Sequence, residues 1–229
     1  FIMTFPNETL PKGRKQKTTA LYDRFVSKGA VMGDSFGLEN VLWFANNKED
    51  AHEEPTIKRS RSHDYVSKEV QNVRENVGAI EVANFSKHEF KGPDARKFLD
   101  HILAGKLPKQ GRISLSPMLT YRGKLYGDLT VACLDEDEFM IFGSGAAQEM
   151  HRRWFESHIS KFNVKYLNRS DDFHGISIAG PRSRDLFRKL VREDVSNESF
   201  KFRDTRRMFV GGVPAIVNRI SFTGELGYE

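Results

Sequence analysis

The sequence predicts an α+β fold: antiparallel sheets with flanking helices, built from paired strand-helix halves. Three observations lead there. The stretches "FSKHEFKGPDARKFLDHIL" (85–103) and "FHGISIAGPRSRDLFRKLV" (173–191) repeat one pattern, a short strand, then Gly-Pro, then a helix carrying Arg and an apolar face. Between them, "SPMLTY", "KLYGDLTVACL" and "EFMIFG" read as three consecutive strands joined by the turns Arg122-Gly123 and "DEDE", an antiparallel meander. Ahead of both, Val66, Val70, Val73 and Val77 fall at spacings of four, three and four, which gives one apolar helical stripe.

From the amino-terminal side, residues 1–20 are polar and contain Pro6, Pro11 and Gly13, the pattern of an extended connector. In "TALYDRFVSKGAVMG", Leu21, Phe25 and Val26 share a face, predicting a short helix ended by Gly29. "NVLWFA" is a brief apolar strand and "EEPTIKRSRS" an exposed loop. In the repeat, Gly92-Pro93 matches Gly180-Pro181, Arg96 matches Arg184, and Leu99 with Ile102 corresponds to Phe187 with Leu190. Proline is preorganised for the first helical turn, so each Gly-Pro marks a helix start. The expected organisation is a connector and leader over 1–50 and a folded domain over 51–229.

At 229 residues, 38% hydrophobic and 29% charged, the chain is long enough to bury a substantial core. No run approaches the roughly 18 apolar residues of a membrane span. The single Cys133 lies in an apolar strand, so an internal disulfide is excluded and a structural thiol in a reducing compartment is expected. Net charge is +5, concentrated in "KGRKQK" and "KRSRSH". Neither cluster is interleaved with aromatic residues as a nucleic-acid stacking platform would be, so both read as solvated segments. Their positive field favours an anionic small ligand. No secretory signal pattern opens the chain. Its final stretch, "RISFTGELGYE", is an alternating strand-and-turn pattern, which marks a piece of a longer protein.

The seven histidines form no metal-binding spacing. His151 and His158, seven apart on a predicted helix, read as surface residues. There is no GxGxxG and no GxxxxGK[ST]. Asp128 is the exception to local rules. It stands in "YGDLTVACL" at the start of an apolar strand, where a short carboxylate competes for backbone hydrogen bonds and leaves water reluctantly. It alternates with Thr130 and Ala132 against Leu129, Val131 and Cys133, so it shares a face with small and polar residues that can line a pocket.

The order "LYDRFVSKGAVMG", "GLENVLWF", "GPDARKFLDHI", "SPMLTYRGKLYGDLTV", "IAGPRSRDLF" and "ISFTGELGYE" resembles the carboxyl-terminal, tetrahydrofolate-binding region of dimethylglycine and sarcosine dehydrogenases. That region is related to the aminomethyltransferase (T-protein) of the glycine cleavage system. The resemblance runs from about Leu10 to Glu229. It implies the aminomethyltransferase fold, with a further β-rich domain beyond Glu229, and capture of an oxidised N-methyl carbon, as iminium or formaldehyde, to give methylenetetrahydrofolate. Asp128 would then serve proton transfer and positive-charge stabilisation, with Tyr126 and Gly127 beside it against the folate. Glu229 would hydrogen-bond the pterin. Phe222 stands where relatives often carry Tyr, keeping the aromatic face and losing a hydroxyl contact, while Glu225 reads as a turn contact. FAD is expected only in a flavin domain of the same parent chain, so this part alone should not oxidise amines. By resemblance the setting is the mitochondrial matrix in an animal and the cytoplasm in a bacterium, without nucleic-acid or membrane partners. Two other readings are a folate-binding regulatory module without turnover and a stand-alone aminomethyltransferase.

Overall fold

A computed structural model describes residues 11–229, so the first ten residues of the expected connector lie outside the described chain. Helix α1 (Tyr22–Ser27) ends at Gly29 as the sequence indicates. Gly29 has φ +87°, and a Cβ there would come 2.4 Å from Ala45 O, so only glycine fits. A hairpin follows, of β1 (Ala30–Ser35) and β2 (Leu38–Phe44), of which the sequence signalled only the second strand. β1 is hidden because Gly33 and Asp34 interrupt its apolar run; Gly33 is needed where the Leu42 side chain crosses, 2.8 Å from where its Cβ would stand.

The hairpin packs on α2 (Ser62–Glu75), which carries Val66, Val70 and Val73 of the valine stripe and ends before Val77. Trp43 stacks on Tyr65 at 4.8 Å and its Nε1–H donates to Glu53 at 2.7 Å, so chain on both sides of residue 50 is joined. No residue of α2 is fully buried, and Val70 is 49% exposed. The stripe therefore supports a bridging helix and not a core helix.

The body begins with β3 (Gly78–Glu81), β4 (Ser86–Lys91) and α3 (Ala95–Ile102). The meander then appears as β5 (Arg112–Leu119), β6 (Leu125–Asp135) and β7 (Glu138–Gly143), followed by α4 (Gln148–His158) and β8 (Lys165–Asn168). These make an antiparallel five-stranded sheet in the order β5-β6-β7-β4-β8. One face buries Leu129, Val131, Cys133, Phe139 and Ile141 under α3 and Phe155 of α4. The outer side of β5 is bridged by Leu103 to Met118, and Pro117 O accepts from Ala104 N–H at 2.9 Å.

The second half holds β9 (Ile176–Ala179), α5 (Ser183–Phe187), the hairpin β10 (Thr205–Val210) with β11 (Val213–Asn218), and β12 (Gly227–Tyr228). β9 is flanked by β12 and β3, and Phe187, Phe200, Val217 and Tyr228 form its core. The predicted repeat is present in backbone detail. Ala95 N–H donates to Gly92 O at 2.9 Å and Ser183 N–H to Gly180 O at 3.0 Å, each closing the turn into a helix. Both glycines have positive φ, +141° and +123°. α5 is shorter than α3, so Leu190, the counterpart of buried Ile102, is 39% exposed.

Candidate functional site

The two halves meet over the second face of the five-stranded sheet, where Ile113, Ala132 and Met140 pack with Phe173, Ile216 and Ile220. Asp128 lies on this face, four residues back along β6 from Ala132. It is exposed, because apolar filling stops before it; Leu115, paired with Thr130, is itself 73% exposed. The ladder to β7 starts only at Thr130–Phe142, and Pro117, opposite Asp128 on β5, has no N–H to give. A carboxylate is tolerated here since it stands at the open end of the strand with water beside it.

Glu229 belongs to the second half, directly after β12. Its backbone exchanges two hydrogen bonds with Asn218, 2.8 and 2.7 Å, while the preceding Tyr228 packs into the second core on Phe187 at 4.5 Å. Alternation along the strand turns Glu229 away from that core. Burial raises its carboxyl above the ordinary glutamate range.

The other sequence-indicated residues are placed differently. The β5–β6 register shifts between Met118 and Leu119, so Tyr126 is a bulged residue. Its ring is thereby turned to the helix-covered face, against Trp154 at 4.6 Å, on the side opposite Asp128. Gly127 also faces the helices, and a Cβ on it would come 2.8 Å from His151 Nε2. Phe222 is 90% exposed on the loop before β12. In that loop Ser221 Oγ donates to Glu225 O at 2.6 Å and accepts from Gly224 N–H at 3.1 Å, and Thr223 Oγ1 donates to the Glu225 carboxylate. Glu225 therefore serves the turn, as expected from sequence.

Two features lay outside the sequence reading. Lys87 is buried on β4, in the cross-strand row Lys87–Phe142–Thr130 on the Asp128 face. Its ammonium donates to Phe85 O (2.6 Å) and Ala83 O (3.1 Å), and burial, aided by Lys17, pushes its pKa down to about 8 against the pull of Asp171. The signal was obscured because β4 is covered on both faces, so "SKHEF" lacks an apolar alternation. His151, expected at the surface, is 2% exposed, its ring held over Gly127.

A cleft of about 300 Å³ opens at the start of β4, walled by Phe36, Phe85 and Phe173 with Lys17, Asp171 and His174. None of the five sequence-indicated residues lines it. Lys87 holds its wall through the carbonyls of Ala83 and Phe85. Among the described residues no cluster of His, Cys, Asp or Glu is arranged to hold a metal ion. No described helix is long and apolar enough to cross a membrane.

A family model described as the GCVT N-terminal domain matches residues 21–229. Mouse mitochondrial dimethylglycine dehydrogenase is 35% identical over 232 residues, covering 100% of this chain and 26% of that protein. The aminomethyltransferase of Thermotoga petrophila is 30% identical over 216 residues, covering 93% of this chain and 53% of that protein. Among solved structures, glycine cleavage system aminomethyltransferase T from Bartonella henselae superposes with a TM-score of 0.75 at 20% identity, over 93% of this chain and 53% of that one. Heterotetrameric sarcosine oxidase from Corynebacterium sp. U-96 gives 0.52 at 16% identity, over 76% and 85%. The chain thus spans about a quarter of the dehydrogenase and about half of the aminomethyltransferases.

Proposed function

Since the chain belongs to the GCVT N-terminal domain family, we propose that it is the tetrahydrofolate-dependent, one-carbon-transfer region of a dimethylglycine or sarcosine dehydrogenase-type enzyme. The observation that carries this reading is Asp128, a water-accessible carboxylate at the open end of β6 on the face between the halves. Dehydrogenase similarity extends over 100% of the chain and aminomethyltransferase similarity over 93%, which favours the dehydrogenase type over a stand-alone transferase.

Tetrahydrofolate, when bound, supplies the nucleophilic amine that takes up a one-carbon unit. The residues present suit it. Asp128 is assigned to accept the proton which that amine loses, a role that contributes typically about a hundredfold or more. Its charge also favours an iminium-type electrophile beside it. Glu229, its carboxyl raised by burial, is suited to the donor edge of a pterin, because two N–H bonds to a carboxylate offset desolvation. Phe222 offers an exposed ring, whereas the ring of Tyr126 is committed to Trp154 and Gly127 serves packing on His151. Amine oxidation and its flavin are assigned to other parts of such an enzyme.

Anaerobic titration with tetrahydrofolate, followed by heat and Trp fluorescence, is the direct test. Saturable binding is expected, weakened about tenfold or more in Asp128→Ala. A chain that binds no folate, or an Asp128→Ala chain that binds equally, overturns the reading. In an intact dehydrogenase, Asp128→Ala is expected to leave amine oxidation unchanged and to raise free formaldehyde.

A further inference from the structure

Three buried polar side chains meet on the helix-covered face of the sheet. Ser86 and His88 alternate on one side of β4, each fully buried, and His151 descends from α4 at 2% exposure. Ser86 Oγ, His88 Nε2 and His151 Nδ1 have no hydrogen-bond partner among the described residues. A Cβ on Gly143 would come 3.2 Å from Ser86 Oγ and 3.3 Å from His151 Nδ1, so both atoms border one small space. The rings of His88 and His151 stand 6.3 Å apart. His88 Nδ1 lies 2.8 Å from Tyr166 OH on the β8 side, which turns the Nε2 edge toward β7 and His151.

The contact that His151 does make settles its tautomer. Nε2 lies 3.2 Å from Tyr126 O, and a carbonyl only accepts, so Nε2 carries the proton and Nδ1 presents a lone pair. Buried polar atoms in this state cost free energy unless bridged, and a water with about three partners is the usual bridge. We propose that Ser86, His88 and His151 share one internal water, and that His151, fixed by it, is a positioning residue for Asp128. The water donates to His151 Nδ1, accepts from His88 Nε2–H and exchanges a bond with Ser86 Oγ. His151 in turn pins the carbonyl of bulged Tyr126 and packs on Gly127, the two residues that aim the chain into Asp128. The functional meaning of this device rests on the role assigned to Asp128 above; the device itself does not.

Nuclear magnetic resonance of the isotopically labelled chain tests the bridge in the wild type. Long-lived water contacts to the His88 and His151 ring protons, with His151 protonated at Nε2, are expected. Absence of those contacts, or a proton on Nδ1, overturns it. The positioning role is tested with His151→Gln, which keeps a donor, against His151→Leu and Phe155→Leu, which loosens the same helix. Amide exchange over 125–129 should rise about tenfold in His151→Leu beyond any rise at Val131, return toward wild type in Gln, and show no local excess in Phe155→Leu. A uniform rise, or Gln no better than Leu, overturns positioning; if His151→Leu does not fold, Gln alone decides against wild type. Tetrahydrofolate affinity should follow the same order. A wild type that binds no folate defeats the functional reading, while the exchange data still judge this one.

Discussion

His88 shows what one buried side chain imposes on the chain's response to acid. Burial, with His151 beside it, pushes its pKa down to about 3. An unfolded histidine takes a proton near pH 6.5. Between those values the unfolded state binds the extra proton, so stability is full above about pH 6.5 and declines as pH falls toward 3. The expected result is a urea midpoint that drops between pH 7 and 4 more steeply in wild type than in His88→Gln; identical slopes would mean that His88 is charged in the fold. At this scale the sequence was only partly legible. Asp128 stood out because a carboxylate breaks strand preferences, and the structure exposes it. Tyr126 and His151 did not reveal their positions, since a bulge rotates the first and a helix face set by α4 packing buries the second, neither of which single-residue patterns encode.

The repeated strand, Gly-Pro and helix unit was readable as an element because its requirements are local. Gly92 and Gly180 each need positive φ and a close neighbour: a Cβ would come 2.8 Å from Asn163 O in the first and 2.5 Å from Val73 O and Asn76 O in the second. Gly180→Ala should therefore cost about 2 kcal/mol or more, combining the left-handed penalty with a backbone collision. Gly211→Ala, at φ +59° in open space, should cost only about 1 kcal/mol. Denaturant titration of the pair separates the two contributions; equal losses would mean that α2 yields to the added methyl. Strand β1 stayed hidden since its glycine serves a distant partner, Leu42. The length of α5 was equally unreadable, because the end of that helix is set by tertiary packing.

For the molecule as a whole, the decisive feature is a sheet covered twice, by α3 and α4 on one side and by the second half on the other. Met140, 2% exposed, sits where the halves join, and Met140→Ala should cost about 2–5 kcal/mol. On the proposed function it should also weaken folate binding, because Asp128 stands on the sheet face that the second half covers. Calorimetric unfolding and ligand titration of one variant check both; loss of stability with intact affinity would place the site within a single half. That the chain folds as two paired halves was legible from the repeat. Which face of the sheet the second half covers was not, as both faces of β6 and β4 carry buried residues.

The bridge from Leu103 to Met118 and the proline at 117 also bear on self-association. A sheet grows by recruiting a strand from another molecule along an edge that offers free donors and acceptors. Here β5 has its outer side taken by its own chain and lacks a donor at Pro117, while β8 at the far edge is only four residues long and begins with exposed Lys165. Neither margin offers the long, flat template that edge-to-edge aggregation requires. The edges of the five-stranded sheet therefore guard it against growth by strand addition.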